Sequence, residues 1–218
     1  PIDAGNLKEV FGRIREKIDR EMDEKRNIDK LREYYMESLP ILQENFYTSL
    51  IDGRIPEDEI ERYLDDYQIS LTGPYYVVSI LHISATDISQ NMNTFLLGVS
   101  VKKLVEEHME DEWKSRILMY LGDIVVITQL ERQDQINAFT DFMDQLCRLA
   151  KHVCEAAVTA GIGYVCNNLP DIRQSWQGAR SAVSYRVLYG NTRAINIAEI
   201  DPMENADERW EEQEIQKI

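Results

Sequence analysis

A run of charged residues near the N-terminus constrains the fold more than any other feature of the sequence. Between Asp19 and Lys30 almost every residue is charged, so this stretch cannot be buried in a globular core. Apolar residues recur at helical spacing on both sides of it, which predicts a long helical segment. They are Leu7, Val10, Ile14 and Ile18 before the charged stretch, and Ile28, Leu31 and Tyr35 after it.

These seven apolar residues, called the seam below, need a packing partner. A long polar helix is stable in water only if its apolar side is covered, and a second copy of the same helix is the simplest cover. The heptad pattern is imperfect, because Lys17, Glu21 and Lys25 lie on or near the seam. A short parallel coiled coil in a homodimer is the leading interpretation, and a single solvated helix is the alternative.

Residues 38–73 have the pattern of shorter helices. Ser38 before Leu39-Pro40 predicts a fresh helix start, because proline is tolerated in a first turn but not in an interior. Asp52-Gly53-Arg54 is expected to end that helix. Pro56 followed by three acidic residues predicts another, with negative charge at the positive end of its dipole. Leu71 to Pro74 is typical of a turn.

From Tyr75 the pattern becomes that of an α+β domain. Residues 75–83 form a near-continuous β-prone run, as in a strand buried on both faces. Gly122-Asp123 predicts a hairpin between strands at 117–121 and 124–129. Further strands are expected at 161–166 and 193–197, and helices at 94–114, 136–157 and 170–189, the last capped by a left-handed Gly190. This order predicts a ferredoxin-like antiparallel sheet with helices on one face.

Four segments follow from these patterns. We expect a connector at 1–37, a helical linker at 38–73, an α+β domain at 74–200 and an acidic linker at 201–218. The first of them follows from the seam and the charged stretch, and the last from its many acidic residues.

Charge and cysteine usage exclude several classes of protein. The formal net charge is −15, which argues against nucleic-acid binding by this chain, since such surfaces need clustered Lys and Arg. Three cysteines in apolar surroundings are typical of reduced thiols in the cytoplasm. No apolar run approaches the ~20 residues that span a bilayer, so we expect no membrane association.

The predicted hairpin carries a resemblance to a known family. Leu121-Gly122-Asp123-Ile124-Val125 resembles the Gly-Gly-Asp/Glu-Glu-Phe hairpin tip of diguanylate cyclases, and the order of the surrounding elements is similar too. Gly161-Ile162-Gly163 also matches, together with several residues that follow it. These are Ser175, Ala179, Ala182, Tyr185 and Arg186. They resemble the closing half of the degenerate GGDEF-like domain found in AraC-type response regulators of the YesN kind.

The resemblance implies an arrangement of neighbouring domains. In such regulators a receiver domain precedes a helical connector, and a helix-turn-helix pair follows the GGDEF-like domain. Pro1-Ile2-Asp3 is similar to the exit from a receiver domain. DNA and a cognate sensor kinase would then be bound through domains outside this chain.

The same resemblance implies that the cyclase chemistry is lost. The family holds metal and nucleotide with acidic residues at the end of the first strand and at the hairpin tip. The first-strand positions here are His82 and Ser84, and the tip reads Leu121, Gly122, Asp123 and Ile124. Only Asp123 is a carboxylate, and it is best interpreted as a turn residue. We therefore expect no catalytic residues, no metal and no cofactor.

Other candidate sites are weaker. His82 could be a switch or a ligand, although a single histidine on a buried strand is more often a hydrogen-bonded core residue. The acidic cluster from Glu106 to Glu112 contains His108, but consecutive helical residues do not face one another, so a solvated helix end is favoured. Cys147 and Cys154 lie too far apart on one helix to chelate a metal.

The sequence predicts a non-catalytic relay and dimerisation segment of a two-component transcriptional regulator. The alternative is a small-molecule or nucleotide sensor that uses the degenerate cyclase cleft. A working nucleotide enzyme is a distant third, since the carboxylates that it needs are missing.

Overall fold

The computed structural model describes residues 4–84, 94–109 and 112–201. The chain divides into two compact units, residues 1–46 and 47–218. None of the described helices is long and apolar enough to cross a membrane.

One helix, α1, runs from Ala4 to Asp52 and includes Pro40. The predicted fresh start at Ser38 is therefore wrong. The Ser38 hydroxyl donates to the Tyr34 carbonyl, 2.8 Å away, which is the bond of a helix interior and not of an N-cap, where the side chain would accept. Pro40 removes one backbone bond, and the turns on either side of it continue the helix. Residues 20–30 are all exposed, as the charged stretch predicted.

A short helix, α2, spans Glu57–Asp66 and follows Pro56 as expected. Three acidic residues occupy its first turn, where they interact favourably with the positive end of the helix dipole. Ile60 is its buried residue. The loop after α2 is fastened to the sheet, because the Gln129 side-chain oxygen accepts from the backbone N–H groups of Thr72 and Gly73 at 3.0 and 2.9 Å.

Five strands form one sheet in the order β2-β3-β1-β4-β5. The strands are β1 Tyr75–Ile83, β2 Ser115–Tyr120, β3 Asp123–Leu130, β4 Val158–Ile162 and β5 Ala194–Asn196. The first four pair antiparallel in the ferredoxin-like order, and β5 joins β4 in parallel. The α+β class is confirmed, and the sheet is mixed where an antiparallel one was predicted.

Three helices cover the sheet: α3 at Thr94–Met109, α4 at Ile136–Val153 and α5 at Ile172–Ser184. Side chains of α3 and α4 share one buried cluster with Val77 and Leu81 of β1. A Cβ on Gly161 would meet α5 instead, and its neighbours Ala160 and Ile162 belong to the cluster with α3 and α4. Because side chains alternate along a strand, α5 covers the opposite face. The prediction of helices on one face is wrong.

Several predicted boundaries shift for local reasons. Helix α4 ends at Val153, not at residue 157, because Glu155 turns the chain with φ +55°. The next strand consequently begins at Val158, three residues before the predicted 161–166 strand. Helix α3 ends at Met109, not at residue 114, and the carbonyl of Met109 accepts from the backbone N–H of Trp113.

The C-terminal part of the domain contains two further short helices, α6 at Arg186–Tyr189 and α7 at Ile197–Ile200. The predicted 170–189 helix is therefore divided between α5 and α6. Gly190 follows α6 with φ +87° and ψ 166°, which is not the left-handed helical conformation that was predicted for a cap.

Helix α5 packs unusually close to β4, and glycines permit the approach. A Cβ on Gly161 would lie 2.3 Å from the Ala179 carbonyl oxygen, and one on Gly163 would lie 1.8 Å from that of Ser175. The Ser175 hydroxyl accepts from the Val78 backbone N–H at 2.8 Å. The glycines that carried part of the family resemblance are thus contact points between helix and sheet.

We expect Gly161→Ala to destabilise the domain by about 2 kcal/mol or more, because backbone atoms of α5 leave no room for a methyl group. Gly98→Ala is the matched control. Its Cβ would meet only the end of the Met119 side chain at 3.7 Å, within helix α3, so it should stabilise by up to about 1 kcal/mol. Urea unfolding of both variants measures the difference, and equal effects would contradict this account of the packing.

Candidate functional site

The edge of the sheet at the β2–β3 turn aligns polar side chains from four strands. Tyr120 of β2 pairs with Asp123 of β3, and His82 of β1 pairs with Thr159 of β4. Leu81 pairs with Ile124, so His82 lies across from Asp123 one step further on. Residues opposite one another in a sheet point to the same face, so all four side chains share the face that α5 covers.

Two of the predicted cyclase positions touch each other. His82 Nδ1 lies 2.8 Å from Asp123 Oδ1, and both side chains are 30% exposed. An ionised carboxylate can only accept, so the ring nitrogen donates to it. His82 is thus hydrogen-bonded, as the conservative interpretation held, but it stands at a partly open edge. The pair is an ion pair only when the imidazole is protonated.

A second carboxylate reaches the same edge from the end of α1. The Tyr120 hydroxyl donates to both carboxylate oxygens of Asp52, at 2.7 and 2.8 Å. Arg54 lies 2.7 Å from Asp52 Oδ2. The hydrogen bond to Asp52 raises the pKa of the Tyr120 phenol, and burial adds to the shift. Asp52 and Tyr120 are 68 positions apart in the chain.

Helix α5 completes the edge with an aromatic side chain. The Trp176 ring lies 6.1 Å from the Tyr120 ring in an edge-on arrangement. The Arg180 guanidinium lies 5.1 Å from the centre of the Trp176 ring, within the range of a cation–π interaction. Sequence reasoning missed Asp52, Trp176 and Arg180 as members of this edge. Tyr120 could have been found, since it directly precedes the two-residue turn and must face Asp123.

The turn consists of Leu121 and Gly122, one residue earlier than predicted, because Asp123 is the first residue of β3 and pairs with Tyr120. Leu121 and Gly122 both have positive φ, +52° and +88°, as in the turns that suit two-residue hairpins. The Leu121 side chain is 73% exposed. Ile124 is buried in the cluster with α3 and α4, on the face opposite to the His82–Asp123 pair.

Ser84 lies just after β1 and is held there by a backbone hydrogen bond. It lies one residue beyond β1, is buried, and its backbone N–H donates to the Ala157 carbonyl at 2.9 Å. Of the six predicted cyclase positions, the structure brings only His82 and Asp123 into side-chain contact with each other.

The family of the chain can be identified on this geometry. Residues 52–185 match the sequence profile of the GGDEF-like domain, which is well over half of the chain. The chain belongs to the GGDEF-like domain family. No curated protein matches the sequence. The match begins at Asp52, the carboxylate that accepts from Tyr120, so the matched region contains the whole network at the hairpin edge.

This GGDEF-like domain has few groups at the edge that could hold a divalent cation. Across residues 4–84, 94–109 and 112–201, no three His, Cys, Asp or Glu side chains are grouped in a way that could bind a metal ion. The Tyr120 hydroxyl shares its one proton between the two oxygens of Asp52, Arg54 lies against one of them, and one oxygen of Asp123 accepts from His82. Hard cations require several free carboxylate oxygens.

The acidic cluster at the end of α3 has ordinary surface contacts where it is described. Lys102 pairs with Glu106 and Lys103 with Glu107, each one turn apart. His108 is exposed, and its Nδ1 donates to the Leu104 carbonyl at 2.8 Å. Glu110 and Asp111 lie outside the described residues.

The cysteines are not activated nucleophiles. All three are free thiols, and burial raises the pKa of Cys147 and of Cys166 to about 12. A thiol attacks as its thiolate, so these groups are protonated and inert near neutral pH.

We expect Tyr120→Phe to destabilise the domain by about 1–2 kcal/mol, because it removes a hydrogen bond whose single proton is shared between the two oxygens of a carboxylate. Tyr164→Phe is the control, since that hydroxyl donates to a neutral carbonyl, that of Asp201, and should cost less. The pKa of Tyr120 is raised on folding, so its contribution is complete below pH 10 and is lost as the pH rises through the raised value. The difference in the free energy of unfolding between wild type and Tyr120→Phe, measured with urea, should therefore become smaller above pH 10. If this difference were zero at pH 8, the hydrogen bonding to Asp52 would contribute nothing to stability.

Proposed function

We propose that this chain is a non-catalytic relay and dimerisation segment of a cytoplasmic two-component transcriptional regulator of the AraC type. It would carry a conformational signal from an upstream receiver domain to a downstream helix-turn-helix domain. The GGDEF-like domain serves in this role as a rigid body and not as an enzyme. DNA and the sensor kinase are bound by domains outside the chain.

The seam of α1 supports the dimerisation part of this proposal. Ile18, Ile28, Leu31 and Tyr35 are exposed by 46, 65, 71 and 36%. Such large apolar side chains on one long helix favour pairing with a partner helix. Leu7, Val10 and Ile14, the other members of the seam, lie outside the residues whose side chains are described.

The observation that carries the relay is the hydrogen bonding of Asp52. This residue ends a 49-residue helix, and its carboxylate is held by Tyr120 at the hairpin edge. A rotation or shift of the last turn of α1 would break or strain this hydrogen bonding. Tyr120 also contacts Trp176 of α5, so the sheet and the covering helix would both respond. A relay requires an element that switches between two arrangements, and the Asp52–Tyr120 contact is the one that we propose for it.

The loss of cyclase activity is the first expectation from this proposal. The purified chain, incubated with GTP and Mg²⁺ or Mn²⁺, should release no pyrophosphate and no cyclic dinucleotide. The reason is that the family's metal-binding carboxylates correspond to His82, Ser84 and Ile124, and Ile124 is buried in the core. Turnover above a blank without protein would contradict the non-catalytic role.

Dimerisation through the seam is the second expectation. Light scattering should detect a dimer, and Ile28→Glu with Leu31→Glu should shift it toward monomer by at least tenfold in Kd, because the charges would be buried in the interface. Tyr34→Glu with Ile41→Glu is the matched control. Those side chains are both 64% exposed but lie about 100° away on the helix. Equal dissociation by the two pairs would contradict the seam.

The relay itself can be tested in the intact regulator by insertions that change the rotational phase of α1. Each residue turns an α-helix by ~100°, so seven residues inserted after Glu24 nearly restore the seam, whereas two residues rotate it by about 200°. The insertion point lies among exposed residues. The seven-residue insertion should preserve signal-dependent transcription, and the two-residue insertion should lock it on or off. Circular dichroism checks that both variants fold. Equal behaviour would mean that the connector is a passive tether, whose effect depends on reach and not on phase.

A further inference from the structure

A valley runs between helices α3 and α4 on the face of the sheet opposite to the hairpin-edge network. It contains two cavities of about 560 and 570 Å³. One is lined by the end of α3 and by α4 between positions 138 and 149, including His108, Phe142 and Leu149. The other is lined by α3 between positions 96 and 107 and by the end of α4, including Leu104, Val153 and the following Cys154. The two helices are therefore antiparallel along the valley.

The two cavities are successive parts of one groove. Leu104 and His108 lie on adjacent turns of α3, and the His108 ring donates to the Leu104 carbonyl. On α4, Gln145, Leu149 and Val153 line the valley at four-residue spacing. A rise of 1.5 Å per residue from position 138 to position 153 gives a length of roughly 22 Å, enough for about four turns of a helix.

The groove has an apolar floor with exposed apolar side chains on its rim. Leu97, Leu104 and Leu146 are buried at its base. Leu96 and Val153, which line the second cavity, are 59 and 64% exposed. Large apolar side chains clustered beside a groove are typical of a surface that receives an amphipathic helix.

Charge decides which kind of helix would fit. The rim carries the carboxylates of Glu107, Glu112 and Asp141, and Lys103 lies 3.8 Å from Glu107. We propose that this valley is a docking site for a basic amphipathic helix of a partner protein. Its apolar side would cover the leucine floor, and its Lys or Arg residues would lie against the acidic rim.

The same charges disfavour the other occupants. A second copy would bring a surface that is acidic on average, since the net charge of the chain is −15, so the pairing of two copies is proposed at the seam and not at the valley. Residues 202–218 of the chain itself contain six acidic and only two basic residues, so they are poorly matched to the rim. An anionic membrane surface would meet the same repulsion. A basic helix is the occupant for which both the floor and the rim are complementary.

The test uses a synthetic peptide of about 18 residues with leucines at i, i+3, i+4 and i+7 and lysines on the other side. Fluorescence anisotropy should detect binding to the full chain. Glu112→Lys with Asp141→Lys should weaken it at least tenfold. Glu61→Lys with Asp65→Lys is the matched control, since it changes the net charge equally on exposed positions of α2, and should weaken binding less than twofold.

The apolar contribution has its own pair of variants. Leu96→Ser with Val153→Ser should weaken binding several-fold. Val187→Ser with Leu188→Ser removes similarly exposed apolar surface, 83 and 75% exposed, outside the valley and should have no effect. The proposal is overturned if either control pair weakens binding as much as its test pair, since the peptide would then bind by general charge or elsewhere. It is also overturned if the valley variants dissociate a dimer, because the occupant would then be a second copy.

Discussion

The close approach of helix α5 to the sheet is the contact on which the rest of the domain depends. Gly161 and Gly163 leave room for the backbone of α5, and the Ser175 hydroxyl satisfies the Val78 N–H that the neighbouring strand does not reach. A buried backbone donor without an acceptor would cost about 1–3 kcal/mol, so this bond supports the centre of the sheet. It also sets the position of Trp176 one residue later, and hence the contact with Tyr120.

The side chains at the hairpin edge bind one another. Strand register brings the end of β1 beside the start of β3. In this chain the register joins an imidazole to a carboxylate, and a phenol to the carboxylate at the end of α1. These groups satisfy one another and leave few oxygens for a cation. The arrangement holds elements of the domain together.

Charge influences both surfaces from which interactions are proposed. On α1 the exposed apolar seam is interrupted by charged residues, which would restrict pairing to one register and weaken it. In the valley the proposed rim, where Glu107 is paired with Lys103 and Glu112 and Asp141 add further carboxylates, would favour basic partners over acidic ones. A surface that combines apolar contact with charge gains specificity as much as affinity.

Much of the fold could be predicted from local sequence. The β-prone run from Tyr75 to Ile83 is a strand with those limits, a two-residue turn joins β2 and β3 one residue earlier than predicted, and the charged stretch of α1 is exposed. These features depend on the periodicity of side chains and on turn chemistry, which adjacent residues determine. The pairing of His82 with Asp123 depends on the register between β1 and β3, which no turn joins, so the local sequence did not determine it.

Other features were decided by tertiary structure alone. The parallel addition of β5, the placement of α5 on the opposite face, and the bonds from Tyr120 to Asp52 join residues far apart in the chain. The continuation of α1 through Pro40 likewise overrides a local stop signal. The local sequence pattern indicates which side of an element is apolar, but it does not indicate which distant element will cover that side. That choice depends on the packing of the whole domain, where a glycine at one position decides how closely a helix can approach.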